Sequence, residues 1–296
     1  MRNIIFVFIV LILGYSSTNA QEFHFGIRGG TNFGKILGPS EEGVDEGHSF
    51  GNGFHFGIEA LYSLNDYFSV GSEINYNQIG SKYHYKGRSY HIFFNESRVF
   101  FNDDVEYNLS LSNSYINIPL NVFIRPFRKL EFKLGGYLGF LINPTASGKM
   151  RFGSKFNQVL SYNYYTDTKP EVYRYTGGTL VIKNPETPDD PTKNLSARKV
   201  AKAYNQYPIE DYKNEKYFNT LDLGLNVGLN YYINSSLYLG LNLQYGLYDI
   251  TNDKLDRSLK AIGGDGDTNF TNADYLIYRN DKDTNLNFQL SLGFRF

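Results

Sequence analysis

The chain has 296 residues, 29 Lys and Arg against 30 Asp and Glu, a formal net charge of −1 and no Cys. That leaves no basic excess for a nucleic-acid partner and excludes disulfides, thiolate metal sites and a Cys nucleophile. Mean hydropathy is −0.40 with 26 Tyr, 24 Phe, 29 Gly and no Trp, and nothing after residue 20 approaches 18 consecutive apolar residues, which excludes helical membrane spans there and favours strands with aromatic belts.

The first predicted element is a secretory signal. Arg2 supplies a positive start, residues 4–13 are ten apolar residues in a row, and Thr18, Asn19 and Ala20 form a small-residue cleavage context. The mature chain is expected to begin at Gln21, and no Cys follows the cleavage site for a lipid anchor. Ten residues of helix span about 15 Å, half of a bilayer's hydrocarbon, so a retained anchor is disfavoured.

Eight segments then alternate apolar and polar residues with period two, the signature of a strand with two unlike faces. The first is about 22–32, with Phe23, Phe25, Ile27 and Thr31 against His24, Gly26, Arg28 and Gly30. The second, about 53–63, sets Phe54, Phe56, Ile58, Ala60 and Tyr62 against His55, Gly57, Glu59 and Ser63. The third, about 67–78, sets Phe68, Val70, Ile74 and Tyr76 against Glu73, Asn75 and Asn77. The fourth, 115–125, sets Ile116, Ile118, Leu120, Val122 and Ile124 against Asn117, Asn121 and Arg125. The fifth, about 130–142, sets Phe132, Leu134, Leu138 and Phe140 against Glu131, Lys133, Gly135 and Tyr137. The sixth, 220–233, sets Leu221, Leu223, Leu225, Val227 and Leu229 against Asp222, Gly224, Asn226 and Asn230. The seventh, 237–248, sets Leu237, Leu239, Leu241 and Leu243 against Gly240, Asn242 and Gln244. The eighth runs from 285 to 296, with Leu286, Phe288, Leu290, Leu292, Phe294 and Phe296 against Asn287, Gln289, Ser291, Gly293 and Arg295.

Connection lengths alternate. Short turns fall at 64–66, 126–129 and 234–236, and long polar segments at about 33–52, 79–114, 143–219 and 249–284. The reading is an all-β, eight-stranded antiparallel transmembrane β-barrel in the outer membrane, with short periplasmic turns and long extracellular loops. Eight strands leave a lumen filled by side chains. The inward faces carry Arg28, Arg125, Lys133 and Arg295 with Glu59, Glu73, Glu131 and Asp222. Buried charges must be paired, so an internal ion-pair network is predicted, with Arg28, Glu59 and Glu73 at mid-height and Arg125, Glu131 and Arg295 near the periplasmic end.

Several strand motifs resemble the PorT-like outer-membrane β-barrel family of Bacteroidota, related in architecture to OmpA/OmpX-type barrels. They are F-H-F-G-I-R-G-G-T-N-F-G at 23–34, Y-I-N-I-P-L-N-V at 115–122, G-G-Y-L-G-F at 135–140, Y-G-L-Y-D-I at 245–250 and L-G-F-R-F at 292–296. The resemblance covers the barrel, about half of the chain, and not the loops. It implies an outer-membrane location surrounded by lipid, and by analogy an accessory role in type IX-like envelope protein secretion. It also implies that Leu292, Phe294 and Phe296 form the terminal signal read by the barrel-assembly machinery; Phe296 is equally the last lipid-facing residue.

The long segment near 143–219 has 12 basic and 8 acidic side chains between residues 149 and 216, a net basic character. Tyr162, Tyr164, Tyr165, Tyr173, Arg174 and Tyr175 give it the composition of an adaptable binding surface for an extracellular or envelope protein partner. A solvated extension of the flanking strands, with a hairpin near Gly177 and Gly178, fits as well. Residues 194–204 have the composition of a short basic helix capped by Asn194 or Ser196. Residues 265–269 open like a calcium loop, but Phe270 and Leu276 stand where Gly and Glu are required, so no metal or other cofactor is expected. The five His, at 24, 48, 55, 84 and 91, sit in no triad or zinc signature. The favoured function is a non-enzymatic scaffold or interaction protein. A minor small-solute channel and a lipid-modifying enzyme are the alternatives.

Overall fold

The computed structural model describes residues 23–40, 45–95, 97–152, 156–164, 180–182, 195–197, 216–253, 257–259, 276–278 and 281–296. In chain order the strands are β1 (Phe23–Leu37), β2 (Asp45–Ser63), β3 (Phe68–Asn95), β4 (Ser97–Phe127), β5 (Leu130–Phe152), β6 (Phe156–Asn163), β7 (Leu180–Ile182), β8 (Leu195–Ala197), β9 (Leu221–Tyr232), β10 (Leu237–Gly246), β11 (Arg257–Leu259), β12 (Leu276–Tyr278) and β13 (Thr284–Arg295). Neighbours β1 to β5 pair in sequence, β5 pairs with β9, β9 with β10, β10 with β13, and β13 with β1, all antiparallel. The sheet therefore closes into a ring of eight strands with no free edge in the membrane, the condition for a sheet to stand in lipid.

The outward stripe is what lipid requires. Ile27, Ile58, Ile74, Leu120, Val122, Leu134, Leu225, Val227, Leu241, Leu290 and Leu292 are exposed along its middle. Aromatic side chains bound it: Phe23, Phe25, Tyr67, Phe127, Tyr231 and Phe296 on the turn side, and Phe33, Phe50, Phe54, Phe140, Tyr245 and Phe288 on the other. Two aromatic girdles around an aliphatic band mark the two membrane interfaces. The periplasmic turns at 64–67 and 233–236 are built alike. Asn65 Oδ1 accepts from the amides of Tyr67 and Phe68, both at 2.9 Å, and Asn234 Oδ1 accepts from those of Ser236 and Leu237 at 2.9 and 2.7 Å. An Asx side chain caps its own turn, which stops each hairpin within a few residues.

Inside the ring, two lumen tyrosines lie flat over cross-strand glycines. Tyr238 pairs with Gly293 and Tyr137 with Gly224, and a Cβ on either glycine would fall within the facing ring. The absent side chain is the seat of the aromatic one.

The membrane part follows the predicted segments, but the extracellular part does not. Most of 33–52 and 79–114, expected as loops, continues as strand in β1 to β4. The face rule also reverses there. Tyr83, Tyr107, Leu109 and Leu111 turn inward and are buried, whereas Lys82 and Lys86 point out. Above the girdle the outer medium is water, so the apolar face belongs inside. β5 pairs with β6 in continuous register from Phe152↔Phe156 to Thr145↔Asn163, and the hairpin expected near Gly177 and Gly178 lies outside the described residues. The start of the predicted basic helix is strand, since Leu195–Ala197 pairs with Leu180–Ile182; residues 198–204 lie outside the described residues, as do the signal segment and 265–269. Gly293→Val should crowd Tyr238 and destabilise the barrel by about 1–3 kcal/mol. Gly29→Ala, whose added Cβ stays 3.4 Å from its nearest neighbour, should be near neutral. Urea midpoints followed by circular dichroism in detergent check the pair.

Candidate functional site

The lumen is stacked in layers, beginning at the periplasmic end with charge. Arg295 reaches Glu59 (Nε to Oε1, 3.0 Å) and crosses the barrel to Glu131 (Nη1 to Oε2, 2.9 Å). Arg125 also holds Glu131, at 2.6 Å, and the Tyr232 hydroxyl accepts from both arginines. Tyr238 donates to Glu59 at 3.0 Å. The next layer is Glu73, gripped by Lys133 at 3.1 Å and by Arg28 at 2.8 Å. The Arg28 Nε contact is an ion pair without hydrogen-bond alignment; Arg28 donates a directed bond to Gln289 at 3.2 Å instead. Glu59 and Glu73 are direct cross-strand neighbours. Two carboxylates side by side repel, so each needs its own cation.

Seven of the eight expected charges thus join in two groups. Arg28, Glu73 and Lys133 form one; Glu59, Arg125, Glu131 and Arg295 form the other. All but Arg125, which is 37% exposed, are buried. Two expectations need correction. Glu59 belongs to the periplasmic group and not to mid-height, because Gly26 lies between it and Arg295 in the register and a Cβ there would meet the Glu59 carboxylate at 2.7 Å. Asp222 has no ion pair among the described residues. Its register partner Gly139 lies well above Lys133 on β5, so the cations are out of reach. Its Oδ2 instead accepts from Tyr137 at 3.2 Å and Asn285 at 2.8 Å.

Amides fill the middle. Asn121, Asn226, Asn242, Gln289, Asn77 and Asn32 form a chain of hydrogen bonds of 2.6–3.0 Å that runs from β4 across the lumen to β1. A neutral amide both donates and accepts, so it can satisfy neighbours in a dry interior without the cost of a buried charge. The sequence pattern had already put most of these amides on the inward faces, but it did not show them as one network. Tyr238, between outward Leu237 and Leu239, was missed as a lumen residue although its alternation marked it.

His55 bridges Asn32 Oδ1 (2.7 Å) and Ser291 Oγ (2.8 Å). A serine, a histidine and an orienting amide in line have the form of a nucleophile and its base. Ser291 and His55 are 2% and 1% exposed, so no substrate carbonyl reaches that hydroxyl, and the trio ties β1, β2 and β13 together.

Among the described residues, an apolar lid covers the extracellular end of the lumen. Tyr164 stacks on Tyr217 at 5.4 Å, and both meet Phe218 edge-on at 4.9 and 4.8 Å. Ile250, Tyr115 and Leu141 belong to the same buried cluster, which continues to Tyr83, Tyr107 and Leu109. Tyr164, expected on a binding surface, is therefore fully buried: its ring is a lid element, held by the bond from its backbone amide to Pro144 O at 2.9 Å. Tyr162 lies on β6, opposite Ala146; Tyr165, Tyr173, Arg174 and Tyr175 lie outside the described residues. Beside the lid opens a polar cleft of about 280 Å³, lined in part by Lys35, Glu46, His48 and Asp283. At the opposite end Leu292, Phe294 and Phe296 all face lipid, and Phe296 exchanges backbone bonds with Phe25 at 2.8 and 3.2 Å to seal the last rung of the ring.

A closed ring with two aromatic girdles and a polar, filled lumen defines an outer-membrane β-barrel. The chain belongs to the family described as Outer membrane protein beta-barrel domain, which it matches over residues 19–252. No curated protein matches it. Among solved structures it is similar to Ail, the attachment invasion locus protein of Yersinia pestis, in complex with the heparin analogue sucrose octasulfate, at 13% identity and TM-score 0.34 over 93% of this chain and 99% of that one. Neisserial surface protein A is similar at 11% identity and TM-score 0.32, over 92% and 95% of the two chains. OprG from Pseudomonas aeruginosa is similar at 11% identity and TM-score 0.32, over 93% and 97%. Scores of this size carry no argument about what this chain binds.

Removing one partner from the buried charge groups should show their unequal weight. Arg295→Met strips the shared cation from Glu59 and Glu131 and should cost about 3–5 kcal/mol. Arg125→Met, at a screened and partly exposed position, should cost far less. Asp222→Asn, which discharges a carboxylate without a cation, should be neutral or stabilising. Unfolding midpoints of the three variants give the order directly.

Proposed function

We propose that this protein is a non-enzymatic scaffold of the outer membrane whose extracellular extension receives an envelope or extracellular protein partner. The observation that carries this reading is the fullness of the lumen. Asn32, Asn77, Asn117, Asp222 and Asn287 are completely inaccessible, and the aromatic lid lies above them. A path for solute would leave such groups wet. What differs from a minimal barrel lies outside the membrane. β3 has 28 residues and β4 has 31, where a tilted span needs about 9–11. At about 3.3 Å per residue, the hairpin continues for roughly 55 Å along the strand beyond the lipid.

The PorT-like strand motifs favour an accessory role in envelope protein secretion of the type IX kind. The partner surface is assigned to the segment around Tyr162, Tyr165, Tyr173, Arg174 and Tyr175. Replacing residues 165–215 by a short flexible linker keeps Tyr164 and Tyr217 in the lid. Crosslinked co-purification from intact outer membranes should recover a protein partner with the full chain and lose it with the replacement. The same partner set from both would refute the scaffold reading, and so would planar-bilayer conductance above baseline for the full chain.

Terminal recognition is assigned to the lipid-facing Leu292, Phe294 and Phe296. Phe296→Ala keeps the backbone bonds to Phe25 and the buried Arg295 ion pairs, so lost assembly then reports on recognition of the side chain and not on ring closure or the lumen. The outer-membrane level should fall severalfold; an unchanged level would remove the assignment.

A further inference from the structure

The outward face of the sheet above the girdle carries a pattern that neither lumen nor lid uses. β3 keeps its phase, so Lys82 and Lys86 point to the same side as lipid-facing Ile74, and both are exposed. β5 changes phase. Leu141 pairs with Tyr115 and Asn143 with Ser114, which leaves Ile142 as an extra residue. Below this bulge the even positions Phe132, Leu134 and Phe140 face out; above it Lys149 and Arg151 do, while Ala146 turns in. A bulge re-aims every side chain beyond it. Without it both cations would enter the apolar lid.

The registers gather these groups. His84 sits opposite Asn108 and Asn108 opposite Lys149; Lys86 sits opposite Glu106 and Glu106 opposite Arg151. Adjacent strands are about 4.8 Å apart, so four permanent cations share a patch three strands wide. Its described acids are Glu106, 3.8 Å from Arg151, and Asp45, 3.4 Å from His84. Four cations against two carboxylates leave an excess of positive charge. The mouth is not uniformly basic, since Asp249 and Asp283 lie together on the opposite, β10–β13 side around Thr251.

Height narrows the ligand. Lys82 follows Ser81, the register partner of the girdle residue Phe50, and Lys86 is four residues further along the same strand. At about 3.3 Å per residue and a tilt near 45°, the patch starts at the interface with Lys82 and rises by roughly 9 Å to Lys86. Phospholipid headgroups occupy only about 5–8 Å there. We propose that this patch binds the anionic saccharide headgroup of an outer-leaflet glycolipid, whose acyl chains run down the lipid-facing stripe of β3 to β5 and whose phosphates or carboxylates reach Lys82, Lys86, Lys149 and Arg151.

The test uses the full chain in phosphatidylcholine nanodiscs and labelled lipopolysaccharide truncated to its phosphorylated inner core, with phosphatidylglycerol and inorganic phosphate as competitors. The lipopolysaccharide should bind in a manner that high salt abolishes, and K82Q/K86Q/K149Q/R151Q should weaken it by about tenfold or more. Asp249→Asn, on the opposite side, should bind as the parent does, and unchanged heat-modifiable mobility shows that the quadruple variant is folded. Equal affinity in the quadruple variant overturns the proposal. Full competition by phosphatidylglycerol, which would mark a generic membrane surface, or by inorganic phosphate alone, which would mark a free-anion site, overturns it as well.

Discussion

Hydrocarbon neither donates nor accepts a hydrogen bond, and nearly every feature of this barrel follows from that. The backbone must close on itself, which the pairing of Phe25 with Phe296 completes. The side chains that face inward then have only one another. Charges come in opposed sets around Arg295 and around Glu73, and neutral amides span the distance between them and the upper lumen. Glycine takes part in the same economy of space. At Gly26, Gly224 and Gly293 a missing Cβ lets a carboxylate or a tyrosine ring from the adjacent strand occupy the lumen.

The same strands leave that solvent partway along their length, and the rule for which face is greasy reverses. Ile74 and Lys82 lie on one side of β3; Asn77 and Tyr83 lie on the other. No residue needs to change direction on β3 for this to happen, only the sequence. On β5 the chain uses geometry as well, with a bulge at Ile142. The outcome is a second core of aromatic and aliphatic groups above the polar one. It is apolar because it can be: outside it is water, and burial of Tyr83, Tyr115, Tyr164 and Phe218 is favourable in the ordinary way.

This two-solvent design separates duties. A polar lumen is capped by an apolar lid, and β3 and β4 continue far beyond the bilayer. His55, Ser291 and Asn32 show how chemistry must be read through access. Their hydrogen bonds would suit an enzyme, but their burial makes them a brace. Asp222 is the one lumen charge without a counter-ion among the described residues, and its two hydrogen-bond donors, Tyr137 and Asn285, show how a neutral shell is assembled where no cation reaches.

The sequence by itself determined the eight membrane strands, their faces and the alternation of short and long connections, because a period of two with lipid on one side leaves a pattern that local reading recovers. It also placed Arg28, Glu73, Lys133, Glu131 and Arg295 in the lumen, since inward position depends only on parity. Only the tertiary structure decided who meets whom. Arg295 holds both Glu59 and Glu131 because the ring brings β2, β5 and β13 to face one center, and no local signal encodes that distance. Tyr164 looked like a surface residue because tyrosines in a polar segment resemble a binding loop; its burial comes from Tyr217 and Phe218, which are remote in the chain. The strand extensions of β1 to β4 escaped notice for the plainest reason. Their alternation was present, but with the apolar side turned inward, and which side faces water is a property of height above the membrane that a linear sequence does not contain.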